Sequence, residues 1–144
     1  MRFRTMCLVG LALAGSATAA PLHRMPLLAA VPTGFFDTRV VNGLAAPTAF
    51  EFAPGGRIFV TEKGGSGGVQ TANLRVIKNG VLLPTPFMSL SVITDGERGL
   101  LGVAADPNYA TNRAIYVYYC HSDAQHNYLS KFVADATLDV RDPS

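Results

Sequence analysis

The sequence predicts an all-β protein, and three observations support this fold class. Short segments rich in β-branched and aromatic residues alternate with turns that contain glycine, proline or asparagine. Asn79-Gly80 separates two apolar segments, and this dipeptide favours a hairpin turn in which both central residues need positive φ. After residue 20, no segment shows the apolar spacing of an amphipathic helix, so we expect no helix there.

The predicted strands follow one another at short intervals along the chain. In order they are Phe35–Val41, Thr48–Phe52, Ile58–Glu62, Leu74–Lys78, Val81–Leu83, Phe87–Leu90, Leu100–Ala104, Ala114–Tyr119 and Tyr128–Val133. The segment Leu100–Ala104 is almost continuously apolar, which is typical of a strand covered on both faces. Gly64–Gly68 is predicted to be a flexible loop, and the glycine-rich connection extends to Ala72.

The first twenty residues have the pattern of a secretory signal peptide. Arg2 and Arg4 supply the positive charge, Met6–Gly15 is a short apolar run, and Ser16–Ala20 offers small residues for cleavage. The apolar run is shorter than the roughly 20 residues that a membrane-spanning helix needs. We therefore expect residues 1–20 to be removed, residues 21–34 to form a linker, and the mature chain to be periplasmic or secreted.

The mature chain carries no net charge that would indicate a nucleic acid partner. The whole sequence has 12 Lys and Arg against 10 Asp and Glu, and loss of Arg2 and Arg4 makes the two counts equal. Cys7 is removed with the signal, so Cys120 is left without a partner for an internal disulfide. We expect no nucleic acid binding and no membrane span in the mature chain.

An internal repeat predicts the arrangement of the strands. A strand, a Pro-containing turn and a second strand occur at 48–62 and again at 101–119, with Pro54 and Pro107 at 53 positions from each other. Units of about 40–50 residues with four strands each are typical of β-propeller blades. Residues 35–144 then form about two blades of a propeller, and an isolated β-sandwich is the competing fold. Because a propeller closes with 4–8 blades, we expect the chain to be the front part of a longer protein.

Four ordered runs of sequence resemble the glucose/sorbosone dehydrogenase family. The resemblance covers about Pro32 to Val133. The runs are L-x-x-P-T-A-F-E-F-A-P-G-G-R-I-F-V-T-E-K (Leu44–Lys63), R-V-I-K-N-G-V-L-L-P-T-P-F (Arg75–Phe87), G-E-R-G-L-L-G-V-A-A-D-P-N-Y-A-T-N (Gly96–Asn112) and Y-V-Y-Y (Tyr116–Tyr119).

The resemblance implies an exported quinoprotein with a six-bladed propeller, of which this chain holds about the first two blades. It implies oxidation of an aldose sugar at the anomeric carbon, with pyrroloquinoline quinone (PQQ) and calcium as cofactors and a separate electron acceptor as partner. The family's catalytic histidine stands in an H-x-x-G-R-L-like segment of a later blade, and His23, His121 and His126 do not match it. The 144 residues alone are therefore expected to be inactive, and the cofactor-binding residues stay unassigned.

One residue of this chain matches a position that lines the pocket in the family. Glu97 aligns with the polar residue of the G-[EQ]-x-G-L-L-G motif, which faces cofactor and substrate in the family. The alternative is a turn carboxylate satisfied by backbone N–H groups or by Arg98.

For three other groups of residues we favour a structural role over a functional one. Cys120, His121, Asp123 and His126 match no zinc spacing, so they predict a polar loop and no metal site. Asp106-Pro107-Asn108 favours a turn over a calcium site. The tyrosines Tyr116–Tyr119 favour packing between blades over a sugar-stacking platform, with Tyr116 and Tyr118 on one face of the strand and Tyr119 on the other.

Two alternative functions stay open at this point. The first is a non-catalytic extracellular propeller that binds a partner, and the second is a propeller lactone hydrolase with a metal in its channel. A later H-x-x-G-R segment and a basic cofactor cluster would favour the dehydrogenase over the binding module. The hydrolase would need acidic and asparagine ligands from several blades, and this sequence shows no such set.

Overall fold

The computed structural model describes residues 31–123 and 126–144, so the predicted signal peptide and most of the predicted linker lie outside the described residues. The described part is almost entirely β, with two antiparallel sheets. The first sheet contains β1 (Pro47–Ala53), β2 (Arg57–Glu62), β3 (Val69–Lys78), β4 (Val81–Leu82) and β5 (Met88–Ile93). The second contains β6 (Leu100–Ala105), β7 (Ala114–Cys120) and β8 (Asn127–Val133), and a four-residue helix, α1 (Tyr109–Asn112), connects β6 to β7.

Each sheet is an antiparallel meander, as expected for a propeller blade. In the first sheet the order is β1-β2-β3, and the outer edge of β3 pairs with β4 near its end and with β5 along its first half. The turn between β3 and β4 has Asn79 at φ 51° and Gly80 at φ 79°, so the predicted hairpin turn with two positive φ angles is confirmed. In the second sheet the order is β6-β7-β8.

The hydrophobic core lies between the facing surfaces of the two sheets. Phe59 is fully buried, and its ring lies edge-on to the rings of Phe87 and Tyr109, at centroid distances of 5.3 and 5.6 Å. The other fully buried large side chains of this core are Leu74, Val76, Val92, Leu100, Ile115 and Val117. Alternation along β2, β3 and β7 places these residues on the inner faces.

Two hydrogen bonds join the sheets at β6. The hydroxyl of Thr48 in β1 donates to the carbonyl oxygen of Leu100 at 2.7 Å, and the Leu100 N–H donates to the carbonyl oxygen of Lys63 at 3.1 Å. The first strand of the second sheet is thereby fixed against the first sheet.

The segment after β8 makes a second connection at the opposite end of the strands. Asp139 accepts hydrogen bonds from Arg57 and Lys78 of the first sheet. The Tyr109 hydroxyl donates to the carbonyl oxygen of Leu138 at 2.9 Å.

The other face of the first sheet carries exposed apolar side chains. Phe50 and Phe52 are 63% and 69% exposed, and their rings meet edge-on at 5.6 Å. They line an open groove of about 490 Å³ together with Val40, Leu44, Ile58, Val60 and Ile77. On this face Val60 and Ile77 are only 5% and 3% exposed, whereas the two phenylalanine rings are open to solvent.

Three predictions from the sequence are wrong. Phe35–Val41 forms no strand, because its side chains are largely exposed and it has no pairing partner among the described residues. The expectation of no helix misses α1, whose four residues are too few to show a helical period. The strand at Leu100 is not covered on both faces, since Ala104 is exposed.

The other strand predictions hold with shifted bounds. The largest shift is in β3, which begins at Val69, so the glycine-rich connection ends at Gly68 and not at Ala72. β5 runs to Ile93, three residues beyond the predicted end. Residues such as Thr71, Asn73 and Ser91 are polar because they point away from the core face of the sheet.

Candidate functional site

Three loops meet at one end of the two sheets. The β2–β3 loop (63–68) and the β5–β6 loop (94–99) lie at the same end, because Val69 at the start of β3 pairs with Ile93 at the end of β5. The β7–β8 loop (121–126) joins them, because the N–H of Cys120 donates to the carbonyl oxygen of Gly99 at 2.9 Å. Loops held by rigid strands in this way are common positions for binding residues.

Glu97 lies at the tip of the β5–β6 loop. It is exposed in a turn, and within the described ranges it makes no hydrogen bond or ion pair. Its side chain lines an open cavity of about 390 Å³, the Glu97 cavity, whose other walls come from Ile93, Arg98, Leu101, Cys120, His126 and Asn127. The carboxylate is therefore available to accept a hydrogen bond from a ligand.

Arg98 pairs with Asp95 and leaves Glu97 to solvent. Its Nη2 atom lies 3.3 Å from Asp95 Oδ2, and its Nε donates to the Asp95 carbonyl oxygen at 3.2 Å. Both side chains are more than two-fifths exposed, so this ion pair contributes little stability. The interpretation of Glu97 as a carboxylate neutralised by its neighbour Arg98 finds no support in this geometry.

Asp95 also ties the β5–β6 loop to the glycine-rich β2–β3 loop. Its Oδ1 accepts a hydrogen bond from the N–H of Gly68 at 2.7 Å. The N–H of the preceding residue, Thr94, donates to the Gly68 carbonyl oxygen at 2.9 Å. Gly68 adopts φ 65°, which a residue with a Cβ rarely adopts, so glycine suits this position.

A second cavity, of about 570 Å³, lies between these two loops. We call it the Lys63 cavity. Its walls are Ala46, Lys63, Gly64, Gly65, Ser66, Gly67, Thr94, Asp95 and Gly96. The Lys63 ammonium donates a hydrogen bond to the carbonyl oxygen of Gly96, directly before Glu97.

The β7–β8 loop contributes two imidazoles on one carboxylate. Asp123 Oδ2 lies 3.3 Å from His121 Nδ1 and 3.1 Å from His126 Nδ1. The His121 ring also packs against Tyr128, with 4.6 Å between ring centroids. Across the described ranges, no group of three or more His, Cys, Asp or Glu side chains is placed to hold a metal ion.

Cys120 and Tyr119 of β7 are buried, whereas Tyr118 is exposed. Cys120 is buried and unbridged at the wall of the Glu97 cavity. Tyr119 is buried between the sheets and stacks on Tyr128, whereas Tyr118 is 41% exposed on the other face of the strand. The predicted division of the tyrosines between the two faces is confirmed.

Asp106 lies at the far end of β6 and forms the predicted turn. Its Oδ1 accepts a hydrogen bond from the N–H of Asn108 at 2.9 Å. This backbone N–H is the main reason that the pKa of Asp106 lies below 3.8. The residue is remote along β6 from the three loops, so it does not contribute to the Glu97 cavity.

The sequence alone pointed to Glu97, but it did not show that Lys63 and Asp95 lie at the same end of the sheets. Lys63 is visible only as the residue after a strand, and Asp95 only as one acidic residue before a glycine. Their roles depend on contacts across 27 to 33 positions of chain, and no local pattern encodes such contacts.

The chain belongs to the glucose/sorbosone dehydrogenase family. The model of that family matches residues 44–144, which include all eight strands and the Glu97 turn.

Individual similarities to single proteins cover most of the chain. An uncharacterized protein of Synechocystis sp. is 26% identical over 128 residues, which are 83% of this chain and 29% of that protein. A solved structure from Thermus thermophilus, of a proposed oxidoreductase (glucose dehydrogenase), is 28% identical with a TM-score of 0.59. The likeness covers 73% of this chain and 30% of that one.

A further solved structure is the PQQ-bound form of aldose sugar dehydrogenase from Streptomyces coelicolor. It is 23% identical with a TM-score of 0.49, over 72% of this chain and 30% of that one. The chain thus spans about three tenths of the length of each of these relatives. In the part of the chain that the structure describes, no helix is long and apolar enough to cross a membrane.

Proposed function

We propose that the protein carrying this chain oxidises an aldose sugar at its anomeric carbon, with PQQ and calcium as cofactors and a separate electron acceptor. Membership of the glucose/sorbosone dehydrogenase family supports the reaction class. The observation that carries the proposal to this chain is Glu97, an exposed carboxylate that no described residue neutralises and that lines a cavity at the loop end of the blades.

The described residues could supply one contact to the cofactor or the sugar, but not all of the contacts that PQQ and calcium need. PQQ carries several carboxylates and would need free cations, but the Lys63 ammonium and the Arg98 guanidinium are both engaged with neighbouring groups. Calcium prefers six to eight oxygen ligands, and no cluster of acidic side chains suited to a metal occurs in the described ranges. We propose that the remaining ligands and the histidine base come from other parts of the whole protein.

Glu97 then has a defined role at the site. Its carboxylate accepts a hydrogen bond from a hydroxyl or N–H group at the rim and holds that group in register with the reacting carbon. When bound, the quinone supplies the two-electron acceptor that the protein's side chains lack. We further propose that residues 1–20 direct export, that residues 21–34 form a linker to the propeller at 35–144, and that the protein acts in the periplasm or outside the cell.

The test uses the intact protein with PQQ, calcium, a panel of aldoses and an artificial electron acceptor. We expect quinone-dependent oxidation of at least one aldose. Glu97→Leu should lower kcat/KM by about tenfold or more, since a hydrogen bond to a charged group contributes roughly 1.5–3 kcal/mol. Glu97→Gln, which keeps an acceptor oxygen, should lose less, and Lys131→Met on the exposed part of β8 should match the wild type.

Two results would contradict the proposal. If no aldose is oxidised in a quinone-dependent way, the proposed reaction class is wrong. Equal kcat/KM for Glu97→Leu and the wild type would remove Glu97 from the site. The isolated 144 residues should show no turnover in the same assay, because they supply one wall of the proposed site.

A further inference from the structure

Lys63 contacts the Glu97 turn on both sides of Glu97. Its carbonyl oxygen accepts a hydrogen bond from the N–H of Leu100 at 3.1 Å, three residues after Glu97. Its ammonium donates to the carbonyl oxygen of Gly96, one residue before Glu97. One residue, directly after β2, thus contacts both ends of the turn that presents the carboxylate.

The side chain of Lys63 also packs against the turn at Gly99. A Cβ added to Gly99 would lie 2.5 Å from the Lys63 carbonyl oxygen and 2.7 Å from Lys63 Cγ. Gly99 adopts φ 147°, so both its conformation and its surroundings require glycine. On the other side, the Gly99 carbonyl oxygen accepts the N–H of Cys120 at 2.9 Å. The end of the turn is therefore enclosed between Lys63 and β7.

Two contacts within the turn, both between Asp95 and Arg98, are long. The N–H of Arg98 reaches the Asp95 carbonyl oxygen at 3.3 Å, and the exposed ion pair between the same residues also spans 3.3 Å. The link from Asp95 to Gly68 fixes the start of the loop and leaves Glu97 two residues away. Without the Lys63 ammonium, the Gly96 carbonyl has no protein donor among the described residues.

We infer that Lys63 is a positioning residue that sets the direction of the Glu97 carboxylate through its bond to Gly96. Lys63 lines the neighbouring cavity and not the Glu97 cavity, so it acts on the ligand through the turn. The effect on turnover rests on the proposed function, whereas the effect on the turn does not.

The test compares Lys63→Met, Lys63→Arg and the control Lys131→Met in the intact protein. Lys63→Met keeps the aliphatic stem against Gly99 and removes the ammonium. Hydrogen exchange of the Arg98 amide, which donates to the Asp95 carbonyl oxygen, should become about tenfold faster in Lys63→Met, while the core amides of Phe59 and Val117 keep their rates. Lys63→Arg should restore slow exchange, because a guanidinium still donates to the Gly96 carbonyl. Lys131→Met should match the wild type.

The second readout is the kinetics of aldose oxidation. Lys63→Met should lower kcat by about tenfold or more with a smaller change in KM, and Lys63→Arg should recover most of it. Wild-type exchange rates in Lys63→Met would overturn the inference, as would wild-type kcat in an active enzyme. If the wild type oxidises no aldose, the proposed function fails, and the exchange experiment still decides whether Lys63 holds the turn. Should Lys63→Met not fold, failure of Lys63→Arg to keep wild-type exchange would overturn the inference.

Discussion

Asp139 and Arg57 form an ion pair across 82 positions of the chain, with Asp139 Oδ1 at 2.7 Å from Arg57 Nε. The same carboxylate reaches Lys78 Nζ with its other oxygen at 2.6 Å. Arg57 is only 7% exposed and also donates to the carbonyl oxygens of Pro54 and Thr137. A short segment after the last strand thus places one carboxylate between two cations of the first sheet.

Replacing Asp139 should destabilise the protein by leaving the buried Arg57 without its counter-ion. We expect Asp139→Asn to lower the free energy of unfolding by roughly 2–3 kcal/mol at neutral pH, since breaking a buried pair costs more than losing an exposed one. Urea denaturation measures the change. Asp37→Asn, at an exposed position, is the matched control. Equal midpoints for Asp139→Asn and the control would show that Arg57 finds another partner.

The stabilising effect of Asp139 should disappear in acid. Burial raises the pKa of Asp139, but hydrogen bonds from Lys78 and Arg57 outweigh it, and the pKa lies below 3.8. The stability it contributes is present above the unfolded-state pKa near 3.8 and is lost as pH falls through the lower folded-state pKa. The difference between wild type and Asp139→Asn should therefore shrink below about pH 3.8 in urea titrations. A difference that is constant between pH 7 and acid would contradict this.

Tyr109 should make the protein sensitive to alkali. Burial raises the pKa of Tyr109 to about 12, so its neutral form is favoured in the folded state. The stability linked to it is complete below the unfolded-state pKa of 10.0 and is lost as pH rises towards 12. Tyr109→Phe should remove this part of the alkaline loss, at a cost of about 1 kcal/mol at neutral pH for the unpaired Leu138 carbonyl. Absorbance at the tyrosinate band and urea midpoints give the two measurements, and identical alkaline profiles would refute the assignment.

Two glycines with positive φ should respond differently to alanine. At Gly99 the added Cβ meets the Lys63 carbonyl, whereas at Gly80, with φ 79°, it meets nothing within 4 Å. Gly80→Ala should cost only the conformational strain of about 1–2 kcal/mol. Gly99→Ala should cost clearly more and should also speed amide exchange at Arg98. Thermal unfolding ranks the pair, and equal losses would show that the Lys63 backbone yields to the new methyl group.

The exposed phenylalanines of the first sheet should bind hydrophobic dyes. Phe50 and Phe52 stand in the open groove on the face remote from the core. The double change Phe50→Ser with Phe52→Ser should lower anilinonaphthalene sulfonate fluorescence several-fold with little effect on the unfolding midpoint, since neither ring is in the core. Phe59→Ser, inside the core, is the contrast and should unfold the protein. Unchanged dye fluorescence would show that the dye does not bind at Phe50 and Phe52.

Sequence patterns identified the strands whose partners lie close in the chain. β2 and β7 are rich in β-branched and aromatic residues, and they were predicted to within a residue because each one forms a hairpin with a neighbour. Phe35–Val41 has a similar composition and forms no strand. A β-branched and aromatic composition favours a strand, but the strand forms only where a neighbouring segment can pair with it.

The candidate site was predictable in one residue only. Glu97 was found through the family motif around it, whereas the contact of Lys63 with the same turn joins residues 33 positions apart in the chain. The same limit applies to Glu62, which reads as the polar end of a strand but is 3% exposed and accepts the N–H of Ala45 at 2.8 Å. Contacts of this kind depend on how the loops assemble, which the local sequence does not determine.

Leu100 has a consequence for how the molecule folds. Its C=O group is bonded to Thr48 of the first sheet and its N–H group to Lys63 directly after β2, although its strand belongs to the second sheet. Separating the sheets would break these bonds and expose the fully buried Phe59 and Ile115 together. We therefore expect one cooperative unfolding transition, and a truncation within residues 94–99 should yield no independently folding half. The two blades that the repeat defines are therefore separate structural units, but we expect neither of them to be stable alone.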